Sequence, residues 1–536
     1  MGVTQRLTTG AHALVAALEA HGVQVVFGIP GQHALGLWDA LADSPIRTVV
    51  VRHEQAAAFA AQAYARTSGR VGVCVTSTGP GAFNTFAGMG EADASSIRVL
   101  HLTTQVPSDP GQRGWMHETS GQSAAFGAVT RHHARPRSPA ALAAAVDEAL
   151  TAIAMRPGPA MVEAYTDVLA APAEGAEIRV TPVSLPAPNP AAVARVASLL
   201  AEARAPMILA GGGARGAAAQ VVELADALDA PVITTFNGKG VMPSGHPLHA
   251  GSSCEEPAVQ ALIRNADVCI ALGTRFSEEC TCHWAVPFPE ALVQVDLDSA
   301  RLGSNYPVRE GIVADAGLFC EALLATSPTA GRRDGAADAR AALAGRSSDI
   351  AGQGFGFEPA LVSALDRALT DSAIVVADMT ILGYWTVLYL DGRRPGGFVY
   401  PMSGALGSGM PSALGAVAAN PGDPVLVVCG DGGFLMAGHE LVTAQQNGLH
   451  FATLLVNDAS YGVLKGYQMR ATGRTIGVEL DSPDFGKLAE GYGVAYRRIT
   501  AAEELADAVG WAFAELPRRC AVVELAAELV SPGQAV

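Results

Sequence analysis

Short runs of apolar residues alternate with alanine-rich stretches of helical spacing along most of the chain. The short runs include residues 48–51, 71–75, 207–209 and 374–377, and they are rich in β-branched side chains. Runs of this length and composition are typical of strands that are buried on both faces of a sheet. The alternation therefore predicts an α/β protein with parallel, doubly wound sheets and helices on both faces of each sheet.

Two segments differ in composition from the rest and predict linkers between domains. Residues 171–190 contain five prolines, and residues 327–353 are rich in alanine, glycine, serine and charged side chains. At 536 residues, the chain is long enough for about three domains of ~150 residues each. We therefore predict three doubly wound parallel-sheet domains, at residues 1–172, 190–328 and 354–536.

Charge and cysteine content narrow the class of protein. The chain has a net charge of −16, with 35 Lys and Arg against 51 Asp and Glu, which argues against a nucleic-acid-binding surface. Eight cysteines without regular spacing, and no signal peptide, predict a location in the reducing cytoplasm. No apolar run reaches the ~18 residues of a membrane span without interruption. We expect neither nucleic acid nor a membrane as a partner.

Polar residues follow two neighbouring predicted strands in the last third of the chain. Gly430-Asp431-Gly432 comes directly after the apolar run 424–429, and Asn457-Asp458 comes directly after the run 451–456. The residues between these two sites have helical spacing, so Asp431 and Asp458 lie at the carboxyl ends of two strands of one βαβ unit, where open sheets bind ligands. Mg²⁺ is bound by a few protein oxygens and often by ligand phosphates. The pair predicts one half of a magnesium diphosphate site.

Asp-Gly and Asn-Asp are also common turn formers, so the pair alone is compatible with two ordinary turns. The longer string from Gly430 to Gly462, however, resembles the thiamine diphosphate signature of the acetolactate synthase and pyruvate oxidase superfamily. That signature is Gly-Asp-Gly followed further along by Asn-Asn, and this chain has Asp458 at the second asparagine. A carboxylate is still a hard oxygen ligand for Mg²⁺. The resemblance implies that Asp431, Asp458 and Ser460 hold the metal and that the last domain binds the diphosphate.

The first third of the chain carries three blocks that resemble the pyrimidine-binding domain of the same superfamily. The blocks are Gly28 to Gly31, the sequence His53-Glu54-Gln55, and Thr78 to Gly81. Considered alone, Glu54 is an ordinary acid in the first turn of a helix, where the helix dipole favours it. The resemblance implies that Glu54 is catalytic and that it forms a hydrogen bond to N1′ of the aminopyrimidine, which requires a carboxyl group shielded from water.

The resemblance also implies the rest of the cofactor site. Leu406, in the loop that begins at Gly404, occupies the position of the apolar residue that supports the bent cofactor. The complete predicted set of cofactor-binding residues is Pro30, Glu54, Thr380, Gly404, Leu406, Asp431, Gly432, Gly433, Asp458, Ser460, Tyr461, Gly462 and Val463. In this superfamily the glutamate of one chain faces the metal site of another. The resemblance therefore implies a homodimer as the minimum assembly, and a homotetramer as the expected one.

The cofactor implies decarboxylation of a 2-oxo acid, and several residues are candidates for the substrate pocket. They are Gln32, His33, Trp115, His117, Glu118, Leu464 and Tyr467. His33 and His117 are candidate catalytic residues, which would donate a proton or hold a substrate carboxylate, although a histidine is more often a surface or core residue.

The pairing of His33 with a later His-Glu sequence resembles a branch that includes 5-guanidino-2-oxopentanoate decarboxylase. Glu118, together with Glu91 and Asp93, would supply negative charge for a guanidinium group, or these acids are solvated surface residues. Release of an aldehyde, as in a lyase, and carboligation of pyruvate, as in an acetolactate synthase and other transferases, both remain open.

The middle third contains a glycine-rich segment, Gly211 to Gly216, that matches the GxGxxG pattern of dinucleotide-binding proteins. The glycines either bind a nucleotide or permit a tight turn and close helix packing. Other motifs of this third, among them Leu272 to Phe276, resemble the central domain of acetolactate synthase-like enzymes, which holds FAD in some members. An NAD(P)-dependent oxidoreductase is the alternative from another class, and FAD is a second possible cofactor.

Overall fold

The computed structural model describes residues 8–108, 113–331, 334–352 and 354–532. Three sheets are present in this part of the chain, and every strand pair in them is parallel. The predicted α/β class with three parallel-sheet domains is confirmed. The chain divides into two compact units, which comprise Met1–Ser184, Pro401–Gly422 and Leu435–His450 in the first, and Leu185–Tyr400, Asp423–Phe434 and Phe451–Val536 in the second.

The first sheet has six strands in the order β2-β1-β3-β4-β6-β5. The strands are β1 (Val25–Gly28), β2 (Arg47–Val50), β3 (Gly72–Thr76), β4 (Val99–Gln105), β5 (His132–Ala134) and β6 (Pro159–Tyr165). The helices of this region are α1 (Gly10–Ala20), α2 (Leu35–Ala42), α3 (Glu54–Ser68), α4 (Pro80–Asn84), α5 (Phe86–Ala94), α6 (Gln122–Gly127), α7 (Pro139–Met155) and α8 (Thr166–Ala170). Strands β3, β4 and β6 are buried along their full length, as expected for strands with helices on both faces.

The central sheet has five strands in the order β11-β10-β9-β7-β8. The strands are β7 (Pro206–Ala210), β8 (Val232–Thr234), β9 (Val268–Leu272), β10 (Ala291–Asp296) and β11 (Glu310–Val313). The helices are α9 (Pro190–Glu202), α10 (Ala218–Leu228), α11 (Pro257–Asn265), α12 (Ala316–Leu324) and α13 (Gly335–Gly352). Apolar side chains from alternate positions of the strands belong to two separate core clusters, since successive side chains of a strand point to opposite faces.

The third sheet has six strands in the order β13-β12-β14-β15-β17-β16. The strands are β12 (Ile374–Ala377), β13 (Phe398–Val399), β14 (Val425–Gly430), β15 (Ala452–Asn457), β16 (Ala495–Ile499) and β17 (Ala521–Ala526). The helices are α14 (Phe357–Ala368), α15 (Ile381–Tyr389), α16 (Gly409–Ala419), α17 (Asp431–Ala437), α18 (Glu440–Asn447), α19 (Gly462–Thr472), α20 (Phe485–Gly491) and α21 (Leu505–Glu515). The two strands predicted around Asp431 and Asp458 are confirmed within one residue at each end.

Two local predictions were wrong. The helical spacing predicted from 434 to 447 is divided between α17 and α18, with Gly438 at the break. Helix α13 occupies most of the segment 327–353 that composition marked as a linker. Ala339 and Ala342 of α13 are buried in a core cluster together with apolar residues of α11. Packing of small side chains therefore stabilises a helix whose composition alone resembles a flexible segment.

Within the first unit, α3 and α16 pack closely along their lengths. A Cβ atom added at Gly415 would lie 1.9 Å from the carbonyl oxygen of Ala60, so only glycine fits at this crossing. The side-chain amide of Gln62 lies 3.5 Å from the hydroxyl of Ser412. In the described part of the chain, no helix is long and apolar enough to cross a membrane.

Candidate active site

Glu54 is the first residue of α3, directly after the turn that follows β2. His53 caps the helix by accepting a hydrogen bond from the backbone N–H of Gln55. The carboxylate of Glu54 is half-buried and accepts a hydrogen bond of 2.9 Å from the side chain of Asn84. A Cβ atom at Gly81 would lie 3.3 Å from Oε1 of Glu54, so the loop after β3 passes directly against this carboxylate.

The loops that follow β1, β3 and β4 converge beside Glu54. A Cβ atom at Gly31 would lie 2.6 Å from Cβ of Ser77, so the first two loops are in contact. Gly79 has a φ of +64°, and a Cβ atom there would lie 2.2 Å from the carbonyl oxygen of His117. The backbone N–H of Gly79 donates to Oε1 of Gln122. Glycine is therefore required at position 79 both for the backbone conformation and for the close approach of the third loop.

The two candidate catalytic histidines lie next to each other in this group of loops. Their rings are 5.5 Å apart between centroids and meet edge to face. The Nε2–H of His33 donates to the carbonyl oxygen of Met116, and the His33 side chain is buried. Trp115 and Met116 are exposed in the same loop, as is Gln32 beside His33. The structure thus brings together Glu54, His33 and His117, which are up to 84 residues apart in the chain.

The three acids that the sequence suggested for binding a guanidinium group each have partners within the chain. Glu118 accepts hydrogen bonds from the backbone N–H groups of Gly114 and Trp115 in its own loop. Glu91 is fully buried beside Arg66, and Asp93 forms an ion pair with Arg131. Their sequence positions gave no indication of these partners, because both arginines come from distant elements.

Asp431 and Asp458 lie at the carboxyl ends of the neighbouring strands β14 and β15. Asp431 is buried and accepts hydrogen bonds of 2.9 Å from the hydroxyl of Ser482 and from the N–H of Gly432. Burial, and then the charge of Asp431, raise the pKa of Asp458 to about 6. Two carboxylates that destabilise each other's charge in this way form a suitable binding site for a cation.

The backbone around the two aspartates is tightly packed. A Cβ atom at Gly432 would lie 2.5 Å from the ring of Tyr461, and one at Gly462 would lie 2.5 Å from Oδ2 of Asp458. Ala459 has a φ of +52°, and Ser460 is buried. These contacts connect the Gly-Asp-Gly segment to the segment that follows β15, as the predicted diphosphate site requires.

The donor set is appropriate for a small hard cation. The side-chain amide of Asn457 donates to Glu524, so of the Asn-Asp pair it is Asp458 that is available to a metal. Among the described residues, no group of three or more His, Cys, Asp or Glu side chains is arranged to hold a metal. A pair of carboxylates with one hydroxyl leaves coordination positions for phosphate oxygens, which is how Mg²⁺ is commonly bound in proteins.

Other predicted cofactor residues surround this site in the second unit. A Cβ atom at Gly430 would lie 3.2 Å from Oγ1 of Thr380, and Cδ1 of Ile381 lies 3.2 Å from the Cβ position of Gly462. Gly433 is buried, Val463 is half-buried, and Leu464 is exposed on α19. Helix α19 has no buried residue.

Leu406 and Gly404 belong to the first unit, and the two residues before Gly404 lie near the end of α3 that is opposite to Glu54. The N–H groups of Met402 and Ser403 donate to the carboxylate of Glu91, which also accepts from Arg66 near the carboxyl end of α3. Arg66 is twelve residues beyond Glu54, a helical distance of about 18 Å at 1.5 Å per residue. Leu406 is half-buried, Gly404 is exposed, and Pro30 is exposed near Glu54.

Several residues that support the site were not predicted from the sequence. Asn84 contacts Glu54 from the last turn of α4, and Ser482 contacts Asp431 from a segment without regular structure. The hydroxyl of Tyr384 is in polar contact with those of Tyr467 and Tyr400. No motif marks these residues. Asn84 lies one helical turn after the Gly-Pro-Gly loop, and this position was the one available signal for it in the sequence.

Gly211 and Gly213 of the GxGxxG segment pack against Gly273, at the ends of the adjacent strands β7 and β9. Cβ atoms at these two positions would lie 2.3 and 2.7 Å from the backbone of Gly273. The pattern thus has a structural explanation, which is the second of the two interpretations offered by the sequence.

Comparison with known proteins assigns three regions of the chain to one family. Residues 8–125 match the thiamine pyrophosphate enzyme N-terminal TPP binding domain, and residues 193–323 match the central domain. Residues 378–525 match the C-terminal TPP binding domain. Glu54 lies in the first match, and both Asp431 and Asp458 lie in the third.

Three relatives are similar over nearly the whole chain. A probable 2-ketoarginine decarboxylase, AruI, of Pseudomonas aeruginosa is 35% identical, with 94% of this chain and 91% of the relative covered. A probable acetolactate synthase large subunit of Methanocaldococcus jannaschii is 33% identical, with 93% and 88% covered. The acetolactate synthase large subunit of Corynebacterium glutamicum is 31% identical, with 94% and 84% covered. The chain therefore belongs to the acetolactate synthase-like family of thiamine diphosphate-dependent enzymes.

Proposed function

We propose that this enzyme catalyses the Mg²⁺-dependent decarboxylation of a 2-oxo acid. The observation that carries the proposal is the pair Asp431 and Asp458 on adjacent strands, with Gly432 and Gly462 kept free of side chains at the same edge. When bound, thiamine diphosphate supplies a nucleophilic carbon that adds to the carbonyl group and accepts the electrons of the broken bond to the carboxylate. The following roles of the protein residues are part of the same proposal.

Asp431, Asp458 and Ser460 would hold Mg²⁺, which would supply positive charge to neutralise the diphosphate. Thr380 and the backbone amides of the Gly432 and Tyr461 segments would donate hydrogen bonds to the diphosphate. Gly433, Gly462 and Val463 complete the walls of the diphosphate site. Since the metal carries positive charge, it also stabilises both carboxylates in their ionised form.

Glu54 holds a proton at the pyrimidine N1′ position, and Asn84 fixes the orientation of its carboxylate. Pro30, Gly404 and Leu406 line the remainder of the cofactor site. Glu54 is only half-buried in the single chain, whereas a carboxyl group that shares its proton with a ring nitrogen needs to be shielded from water. A second protein surface that covers Glu54 would provide this shielding.

The active site is formed between two chains. Met402 and Ser403, shortly before Leu406, bind Glu91 beside Arg66, and Arg66 is about 18 Å along α3 from Glu54 of the same chain. This separation supports a second chain as the source of the other wall. Apolar side chains are exposed on both halves of the site, with Trp115 44% and Met116 64% exposed beside His117, and Leu464 49% exposed on α19. A homodimer is the minimum functional assembly, and we propose a homotetramer as the complete one.

His33 and His117 act on the substrate, because both lie beside Glu54 at the mouth of the cofactor site. Their roles are to donate a proton at the former carbonyl carbon or to hold the substrate carboxylate before it leaves as CO₂. Gln32, Trp115, Leu464 and Tyr467 line the same pocket, and Glu118 positions the His117 loop. The domain assignment 1–172, 190–328 and 354–536 is part of this proposal, with the cofactor bound by the first and last domains.

Carboligation is the second candidate reaction, and the similarity to acetolactate synthase large subunits supports it. In that reaction a second pyruvate, in place of a proton, would accept the remaining fragment. The relative named for 2-ketoarginine supports the first candidate, in which protonation releases an aldehyde. The two candidates differ in the product, since carboligation joins two substrate molecules.

One experiment tests the proposal and distinguishes the two reactions. The purified protein is incubated with thiamine diphosphate, Mg²⁺ and a series of 2-oxo acids, and both CO₂ release and product mass are measured. CO₂ with an aldehyde supports simple decarboxylation, and CO₂ with a condensed product supports carboligation. No CO₂ from any acid, together with no thermal stabilisation by the cofactor, would overturn the proposal.

A further inference from the structure

Glu255 is a buried acid of the second unit, and the residues that the structure describes provide no cation that compensates its charge. Its side chain is 8% exposed. Among the described residues, none donates a hydrogen bond to its carboxylate, and the charges that act on it are those of Glu279 and Glu256. Burial, followed by these two charges, raises the pKa of Glu255 to about 8. An acid in this environment requires a cation to be stable in its ionised form.

The neighbouring acid, Glu256, shows how a buried carboxylate charge is compensated in this region. Glu256 is also buried, and both of its carboxylate oxygens accept hydrogen bonds from Arg346, at 2.6 and 2.9 Å. The other buried cation of this region, Lys239, donates to the carbonyl oxygen of Leu390 and lies over the ring of Phe398. Both cations therefore bind other groups, and the protein provides neither of them to Glu255.

Tyrosine residues and a second acid surround Glu255. Burial is the largest cause of the raised pKa of Tyr400. Further causes, in decreasing order, are the charge of Glu279, the phenol of Tyr384 and the charge of Glu255. Tyr384 is in polar contact with Tyr400 and Tyr467. We call Glu255, Glu279, Tyr384, Tyr400 and Tyr467 the acid–tyrosine cluster. It combines two carboxylates with aromatic rings and hydroxyl groups.

Two tyrosines of the acid–tyrosine cluster lie near the proposed diphosphate site. Tyr384 is one turn beyond Thr380, at the start of α15, and Tyr467 is five residues beyond Gly462, at the start of α19. Along a helix these separations correspond to about 6 and 8 Å. Both helices begin at the segments that contact Gly430 and Asp458. Both tyrosines therefore lie within about two helical turns of segments that contact the proposed diphosphate site.

We propose that the acid–tyrosine cluster binds a cationic group at the far end of the 2-oxo acid, and that this group is a guanidinium. A guanidinium presents several N–H donors in one plane, which suits paired carboxylate and hydroxyl acceptors, and its flat face stacks on aromatic rings. Glu255 and Glu279 are the specificity-determining residues. This inference rests on the proposed decarboxylation, and it replaces Glu91, Asp93 and Glu118 in the guanidinium-binding role.

The reaction of such a substrate is balanced without a further reactant. The bond between C1 and C2 of 5-guanidino-2-oxopentanoate breaks, C1 leaves as CO₂, and C2 gains one proton. The product is 4-guanidinobutanal. The guanidinium group itself does not react, so the acid–tyrosine cluster is expected to affect substrate binding more than the chemical step.

The test compares 5-guanidino-2-oxopentanoate with 5-ureido-2-oxopentanoate, which has the same length and shape but no charge. We expect kcat/KM for CO₂ release to be about 10- to 100-fold higher for the guanidino acid, the size of a hydrogen bond to a charged group. The Glu255→Gln and Glu279→Gln variants should lose most of this preference through a higher KM. Glu278→Gln is the matched control, because Glu278 precedes Glu279 but is exposed and paired with His283.

A binding measurement keeps this inference separate from the proposed function. Calorimetric titration with 5-guanidinopentanoate and 5-ureidopentanoate, which have no 2-oxo group, requires no turnover. The inference is supported if the wild-type protein binds the guanidino compound more tightly than the ureido compound and the Glu255→Gln variant does not. If the protein releases CO₂ from both 2-oxo acids equally well, the inference is wrong while the proposed function stands. If neither acid reacts and neither analogue binds preferentially, the inference is wrong, and the series of other 2-oxo acids still decides the proposed function.

Discussion

Asp458 and Asp431 follow adjacent parallel strands, and the charge of Asp431 contributes to raising the pKa of Asp458 to about 6. The two carboxylates therefore repel each other until a cation lies near both. This relationship gives a first prediction about binding rather than catalysis. Asp431→Asn or Asp458→Asn should abolish the thermal stabilisation that thiamine diphosphate and Mg²⁺ together give to the wild-type protein.

Thermal unfolding with and without the cofactor and metal measures this effect. The control variant is Asp481→Asn, because Asp481 is exposed and is the neighbour of Ser482 rather than part of the pair. Without ligands, both site variants should be as stable as the wild type or more stable, since a like-charge repulsion is removed. Stabilisation by the cofactor that persists in Asp431→Asn would contradict the assignment.

Glu54→Gln should retain the fold and cofactor binding but lose turnover. Glutamine preserves the shape of the side chain but has no acidic proton, and loss of a general acid or base commonly lowers rates by about 100- to 10,000-fold. Initial rates of CO₂ release, with cofactor binding measured in parallel, test this prediction. Asn84→Ala should lower the rate less, because it removes only the hydrogen bond that orients Glu54. Near-normal turnover by Glu54→Gln would exclude the proposed role.

A mixing experiment tests whether two chains share each active site. Glu54→Gln and Asp431→Asn are each expected to be inactive alone. When equal amounts of the two variants are unfolded and refolded together, half of the dimers carry both, and one of their two sites has Glu54 and Asp431 intact. The mixture should therefore recover about a quarter of wild-type activity if the sites form between chains. No recovery, with mixed dimers demonstrated by mass, would show that each chain builds its own site.

Gly79→Ala should destabilise the first unit, because φ is +64° at this position and the added Cβ would meet His117. A left-handed backbone together with this contact predicts a loss of about 1–3 kcal/mol. Urea unfolding gives the difference directly. Gly121→Ala is the matched control, since no heavy atom lies within 4 Å of its Cβ position. Equal stability of the two variants would mean that the His117 loop moves freely.

The pH dependence of stability should report the charge of Glu255. In the unfolded chain, the pKa of a glutamate is about 4.3, the value found in model peptides. Folding raises the pKa of Glu255 to about 8. The folded state therefore loses stability as the pH rises from the unfolded pKa to the folded pKa, and the loss is complete above pH 8.

Glu255→Gln resembles the protonated form and removes this dependence. The unfolding temperatures of the variant and the wild type should differ little near pH 5, and the variant should become more stable as the pH approaches 9. Glu278→Gln should show no such trend. A constant difference at every pH would mean that Glu255 is already compensated in the folded protein.

The sequence predicted those parts of the site that depend on local pattern. Asp431 and Asp458 follow apolar runs of strand length, and parallel strands bring their carboxyl ends to one edge, so the pairing follows from the alternation alone. Glu54 at the start of an alanine-rich helix was predictable in the same way. The assignment of these residues to cofactor and metal remains a prediction, as do the roles of His33 and His117.

Features that depend on long-range packing were not predictable. Glu255 and Glu279 approach the tyrosines only after separate sheets have formed, and nothing in their local sequence distinguishes their surroundings from those of Glu91 and Asp93. Helix α13 has the composition of a linker and is stabilised by contacts of Ala339 and Ala342 with distant residues. In these cases, partner residues far away in the chain determine the role of a side chain.

Helix α19 carries Leu464 and Tyr467 without burying any residue of its own. Substitutions on this helix therefore remove little packing, and most should change the free energy of unfolding by less than about 0.5 kcal/mol. Mutations that alter substrate preference can accumulate there without first requiring a stabilising change elsewhere. A lineage with this architecture can change its substrate preference while its fold is maintained.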